Sequence, residues 1–232
     1  MQGAAWSAEE RYAEWCSVFR ARSRVFASTS DVNPVLTEDE EAVINRVWLE
    51  LQEEYCASFL SIARQRASLF AQPCYFLNRA LRFPVWVRLH DLLFACEWSG
   101  RLRDYDLSKG YSCDEFCPAV ELSEAGHRVM ALLRQAAADW VCQPNRPALV
   151  AFLVKMHTYL NYVHPFVDGN GRVQRLYMNL IAAYFGYLVD WRQANREAYL
   201  DAVRAAFRSE EEPLAALIDQ HLRPVTDMGD FK

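Results

Sequence analysis

An all-α fold is what this sequence predicts: a helical bundle carrying one short β-hairpin. Three observations lead there. Apolar residues recur at three- and four-residue steps through almost every segment, the period of a helix with one buried face. Prolines 34, 73, 84, 147, 165 and 213 punctuate the boundaries between those segments. The two strongest stripes flank a single polar loop, His164–Arg175.

In chain order, Ser7 and Glu10 have the spacing of a capping box, and a helix to about Ala27 follows. Ser28–Val35 is a polar loop. Thr37 and Glu40 repeat the capping spacing ahead of a long helix carrying Val43, Val47, Leu51, Phe59 and Ile62, which Pro73 breaks. Residues 75–82 read as a short helix, and Pro84 suits the first turn of another that reaches Cys96 or Glu97. Trp98–Phe116 has no helical period and, with the turn-like Asp114–Cys117, is the expected hairpin. A helix over 122–141 and a break at Gln143–Pro147 precede the central pair. The first central helix carries Leu149, Phe152, Leu153, Met156, Leu160 and Val163. Pro165 drives the residue before it out of the α region, so this helix ends near Val163 with His164 at its C-terminus. The second carries Val173, Leu176, Tyr177, Leu180, Ile181, Tyr184 and Phe185, and Gly186 closes it as a left-handed cap. Asp190 or Asn195 caps a helix to about Phe207, and Pro213 opens the last. The organisation expected is an N-terminal helical extension over 1–72, a core domain over 73–225 and a tail over 226–232.

A chain of 232 residues that is 52% hydrophobic buries an ample core. No apolar run approaches the ~18 residues of a membrane span, and Met1–Glu10 lacks the basic-then-apolar order of a signal peptide. Seven scattered cysteines fit a reducing, cytoplasmic setting. Cys113 and Cys117 form a close pair with no second pair or histidine at a zinc spacing. A net charge of −5 argues against nucleic acid as the primary ligand. Arg11, Arg20, Arg22 and Arg24 are interleaved with apolar residues and read as one solvated helix face.

The loop reads His-Pro-Phe-Val-Asp-Gly-Asn-Gly-Arg-Val-Gln-Arg from His164 to Arg175. Asp168-Gly169-Asn170-Gly171 sits at a helix N-terminus, where unpaired N–H groups and the helix dipole favour an anion. Gly169 and Gly171 let backbone bend and approach a ligand closely. Arg172 and Arg175, three apart on the first turn, oppose the dipole of an empty helix but suit a polyphosphate. Asp168 beside phosphates is a natural Mg²⁺ ligand. His164 is the group poised to accept a proton near neutral pH. Phe166 is expected to point into the core and fix the loop.

These twelve residues match the signature of Fic-domain proteins, and stand-alone bacterial Fic toxins are the relatives most resembled. The resemblance extends to Leu89–Phe94, Trp98–Arg103, Asp106–Gly110, Gly186–Trp191 and Glu212–Leu214. It covers roughly residues 75–222 and leaves the first seventy or so outside. It implies a Fic-type helical bundle with the signature loop between two central helices and a β-hairpin flap. It also implies adenylyl transfer: His164 takes the proton of a Tyr, Thr or Ser hydroxyl of a target protein, which attacks the α-phosphorus of ATP. Asp168 holds Mg²⁺, Gly169, Asn170 and Gly171 cradle the phosphates, and Arg172 and Arg175 hold the departing diphosphate. The flap, Asp106–Cys113, presents the target, and Lys109 touches target or nucleotide. Relatives with other chemistries tend to depart from Gly-Asn-Gly, which favours a nucleotidyl group here. Another nucleotide donor, removal of AMP, a host-directed effector and an idle binding module remain as alternatives. The inhibitory helix of many Fic proteins is matched only by Thr37–Ala42, where Ala42 replaces Gly or Asn and Glu41 would be the inhibitor. Near Ser209, Pro213 stands where the glutamate belongs. That leaves an unrestrained effector delivered to a host or a toxin restrained by a separate small antitoxin, and family analogy makes the antitoxin the expected partner.

Overall fold

The computed structural model describes residues 73–94, 99–107, 116–138, 140–141, 145–191 and 193–224. The expected N-terminal extension and the tail from 226 lie outside these. Seven α-helices account for most of the described chain: α1 (Pro73–Ala80), α2 (Phe83–Phe94), α3 (Leu122–Ala138), α4 (Arg146–Val163), α5 (Asn170–Tyr184), α6 (Arg196–Phe207) and α7 (Glu212–His221). A 3₁₀ turn, Ala119–Glu121, leads into α3.

Helix α4 is the hub, packed by α3, α5, α6 and α7, while α2 leans on α5. Its predicted stripe is buried throughout, from Leu149 through Phe152, Leu153, Met156 and Leu160 to Val163. Val173, Leu176, Tyr177 and Ile181 of α5, which packs on α4, are buried as well. Each such side chain taken from water contributes about 1.5–3 kcal/mol, so the pair forms a rigid floor under the loop that joins it. Tyr177 also donates its hydroxyl to the carbonyl of Ala80, pinning the end of α1 to α5. No helix among the described residues is long and apolar enough to cross a membrane.

Capping sets the boundaries. The Asn145 side chain accepts the N–H of Ala148 at 3.0 Å and starts α4. Asn195, one of the two expected caps, accepts that of Ala198 at 3.1 Å and starts α6. Gly186 follows α5 at φ 83°, as its cap role requires. Pro213 lies in the first turn of α7. Some boundaries differ from expectation. Helix α1 runs from Pro73 to Ala80 rather than over 75–82, opened by a first-turn proline that has no N–H to waste. Helix α3 stops at Ala138 rather than 141, and Trp140 and Val141 instead turn back onto the carbonyl of Ala137.

The strands that are described lie elsewhere in the chain than the expected hairpin. Among the described parts of Trp98–Phe116, which are 99–107 and 116, there is no strand; residues 108–115 lie outside the description. The observed pair is β1 (Tyr187–Val189) and β2 (Leu222–Pro224), antiparallel, with Tyr187 opposite Pro224 and Val189 opposite Leu222. Buried Asn179 completes it: its side chain donates to the carbonyl of Val189 at 3.1 Å and accepts the Val189 N–H at 2.9 Å. Three-residue strands are too short to show a period of two, so a sequence scan passes over them.

Candidate active site

Helix α4 ends at His164, which adopts a left-handed conformation with φ 41° and ψ 58° while its N–H still bonds the carbonyl of Leu160. Few residue types tolerate that region, histidine among them. Two contacts hold it there. The imidazole stacks on Phe116 with ring centroids 4.0 Å apart and planes 28° from parallel. The His164 carbonyl accepts the Nε–H of Arg103 at 2.9 Å.

The loop beyond is closed by Asn170. Its side-chain oxygen accepts the N–H of Phe166 at 2.9 Å, and its amide group donates to the carbonyl of the same residue at 2.7 Å. Phe166 is fully buried, as expected, stacked on His90 at 3.8 Å and edge-on to Trp86. Gly169 has φ 80°, and a Cβ there would lie 2.2 Å from the Phe94 ring. Gly171 is different: no positive φ is required, and a Cβ would meet only the Arg175 guanidinium at 3.4 Å. So Gly169 serves the bend and the core, while Gly171 keeps the first turn of α5 open to a ligand.

Asp168 is partly exposed. Its Oδ1 accepts the N–H of Gly169 at 2.6 Å and Nη2 of Arg172 at 3.0 Å. Its carbonyl accepts the Nε2–H of His90 at 3.0 Å. His90 is fully buried, and that burial, partly offset by the Asp168 carbonyl, pushes the imidazole down to about 4. The nearby Arg172 charge acts in the same direction as burial.

The two arginines are held by different elements. Arg172 pairs with Asp168 and lies over the Phe94 ring of α2 at 5.1 Å. Arg175 faces α6, its guanidinium 5.5 Å from the Tyr199 ring and Nη1 reaching the Tyr199 oxygen at 3.5 Å. That hydroxyl is in turn 2.8 Å from Nε2 of His157 on α4, and Gln174 bonds the His157 carbonyl at 2.9 Å.

His164, Asp168 and Gly169 are therefore gathered on the loop between the two packed helices, and Asn170, Gly171, Arg172 and Arg175 on the first turns of α5. Both polar ends of the Asn170 side chain are committed to Phe166, so the group Asn170 has left to offer a ligand is its backbone N–H. Val173 makes the first intrahelical bond of α5, to the Gly169 carbonyl at 3.0 Å. The N–H groups of Asn170, Gly171 and Arg172 precede it and converge at the positive end of the helix. Lys109, Thr37 and Glu41 lie outside the described residues. Among the described residues no cluster of three His, Cys, Asp or Glu side chains could hold a metal unaided. Asp168 alone, beside phosphate oxygens, does fit Mg²⁺, which usually takes one or two carboxylates and completes its shell from phosphates and water.

Sequence reasoning missed Arg103, His90, Phe116 and Tyr199. Arg103 and His90 fall inside stretches that carry the family resemblance, which was their only signal. Phe116 and Tyr199 look like ordinary apolar positions.

The Fic/DOC family profile matches residues 85–182, from within α2 to within α5. The chain is 31% identical over 145 residues to the probable protein adenylyltransferase y4lH of Sinorhizobium fredii, covering 60% of this chain and 71% of that one. It is 26% identical to the probable protein adenylyltransferase Fic of Escherichia coli, where it spans about half of the relative, 51%. In structure it resembles the BepC protein of Bartonella tribocorum, a VirB-translocated effector solved with bound AMPPNP. The TM-score is 0.58 at 15% identity, covering 84% of this chain and 95% of that one. An all-α bundle with this loop between its central helices defines the Fic fold. The chain belongs to the Fic/DOC family.

Proposed function

We propose that this protein is an adenylyltransferase that moves AMP from ATP to a Tyr, Thr or Ser hydroxyl of a target protein and releases diphosphate. One observation carries the reading: the Phe166–Asn170 closure holds a histidine, the one candidate base of the loop, a single tight turn away from a helix N-terminus flanked by two guanidiniums. His164 accepts the proton of the target hydroxyl as its oxygen bonds the α-phosphorus, and the bond to the β-phosphate oxygen breaks. The backbone N–H groups at the start of α5 stabilise charge on the α-phosphoryl oxygens. Arg172 and Arg175 hold the diphosphate as it leaves. Asp168 would hold Mg²⁺, whose charge offsets that of the phosphates. The names of the relatives above and the AMPPNP bound to BepC support an adenine nucleotide.

The same reading includes restraint by a separate small protein that brings a carboxylate to Arg175. It is supported by the poor inhibitory match in the chain itself, with Ala42 in place of Gly or Asn and Pro213 in place of Glu. It makes the enzyme a toxin acting in a reducing compartment, in keeping with its scattered cysteines.

The test is transfer from α-labelled and γ-labelled ATP into a lysate, beside His164→Ala. Label from the α position alone, reduced ~10²–10⁴-fold in the variant while ATP binding persists, is the expected result. Robust transfer by the variant removes His164 as base. Label from the γ position replaces adenylyl transfer with phosphorylation.

A further inference from the structure

Between the root of the expected flap and the end of α4 lies a guanidinium that none of the proposed chemistry uses. Arg103 is 2% exposed. Its Nε–H donates to the His164 carbonyl at 2.9 Å and Nη1 to the Tyr105 carbonyl at 2.7 Å. Nη2 donates to the Cys117 carbonyl and, at 3.5 Å, to that of Val163. The remaining N–H faces the exposed Asp106 carboxylate, 3.9 Å from Nη1. Four of the five donors of a guanidinium thus end on backbone carbonyls. The main chain adds two parallel ties: Arg103 N–H to the Pro165 carbonyl and Cys117 N–H to the Tyr162 carbonyl, both at 2.9 Å.

The carbonyls belong to three places at once. Tyr105 is where the chain leaves for residues 108–115, and Cys117 is where it returns. Val163 and His164 are the last turn of α4 and its left-handed cap. Phe116, whose ring stacks on the His164 imidazole, directly precedes Cys117. Arg103 therefore holds both partners of that stack, one through its own carbonyl and the other through its neighbour's.

We propose that Arg103 is a positioning residue for His164, tying the backbone at Tyr105 and Cys117 to the end of α4 and so holding Phe116 against the imidazole. The proposal rests on the adenylyl-transfer reading for its kinetic consequence, but not for its geometry. Lysine cannot substitute, because three donors on a point charge do not reach carbonyls spread over a planar fork. The phosphate cradle on α5 is independent of this clamp, so nucleotide affinity is spared.

The chain has five histidines, so their side-chain resonances are few enough to follow one by one. In Arg103→Lys the His164 ring signals lose the upfield shift from Phe116 while those of His90, His127, His157 and His221 stay in place. In transfer assays kcat falls ~10–100-fold, a loss of positioning, with KM for ATP within about twofold. His164 signals unmoved with kcat within twofold of the parent would overturn the proposal. So would displacement of all five histidines, which marks general loosening. If the lysine variant does not fold, the parent protein still decides. Its Arg103 Nε–H must exchange slowly and show a coupling across the hydrogen bond to the His164 carbonyl carbon; a fast-exchanging, uncoupled Nε–H ends the idea. Absence of α-label transfer by the parent overturns the functional reading alone, since the resonance measurements need no substrate.

Discussion

Nε2 of His90 donates its proton to the backbone carbonyl of Asp168, and Nδ1 of the same ring accepts the N–H of Gly100 at 2.9 Å. A carbonyl can only accept and a backbone N–H can only donate, so one tautomer of a neutral imidazole satisfies both. A buried histidine on α2 thereby holds the backbone of the signature loop from within the core.

This neutral ring makes stability depend on pH. Burial pushes its pKa down from 6.5 to about 4. Between those values the unfolded chain takes up a proton that the folded chain refuses. The contribution of His90 is therefore complete above pH 6.5 and declines as pH falls toward about 4. By pH 5 it has fallen by about 2 kcal/mol. Urea titrations at pH 7 and pH 5 in EDTA should show the parent losing about that much more than His90→Gln. Equal losses would remove His90 as the acid-sensitive group.

The two glycines of the loop should respond oppositely to alanine. Gly169→Ala adds a Cβ at 2.2 Å from the Phe94 ring and places it at φ 80°. A destabilisation of about 2 kcal/mol or more is expected, and Phe94→Leu should relieve the clash but not the backbone strain. Gly171→Ala, at an ordinary helical position, should leave the fold as stable or raise it by up to about 1 kcal/mol. Its cost should fall on nucleotide binding. Thermal melts beside ATP titrations separate the two, and a destabilised Gly171→Ala would contradict this division of roles.

Asn170→Ala leaves the buried N–H and carbonyl of Phe166 without partners. At about 1–3 kcal/mol for each stranded group, the melting temperature should fall by several degrees and transfer should be lost together with loop order. Asn170→Asp keeps the acceptor for the Phe166 N–H and should fall between. If Asn170→Ala melts like the parent but fails to bind ATP, its side chain faces the ligand after all.

Chelation of Mg²⁺ should stop transfer while the melting curve stays unchanged, because Asp168 already has Gly169 and Arg172 as partners without metal. Asp168→Asn keeps the Gly169 bond but loses the charge. Its half-maximal Mg²⁺ should rise on the order of tenfold or more. An unshifted requirement would move the metal to another residue.

The central helix pair and its loop were legible because the information is local. A period of three and four, a proline after His164 and a glycine after Phe185 each act within a turn of the chain. Which way the loop side chains turn was not legible. Asn170 looks like a ligand donor in sequence, and only the return of Phe166 over four residues shows that its amide is already used. Arg103 was hidden for the same reason: its carbonyl partners lie up to 61 residues away, and carbonyls leave no mark on a sequence. The β1–β2 pair joins residues 37 apart at Tyr187↔Pro224 and 33 apart at Val189↔Leu222, with three residues on each side. Too little pattern exists there to read.

Every acceptor that Arg103 uses in its clamp is a main-chain oxygen, and all amino acids carry one. The anchorage is thus blind to the side chains it joins. A substitution at Tyr105 or Cys117 leaves the acceptor in place, since the carbonyl stays whatever the side chain. The side chains at the anchor points are replaceable letters, and the aim of the histidine is written in the backbone.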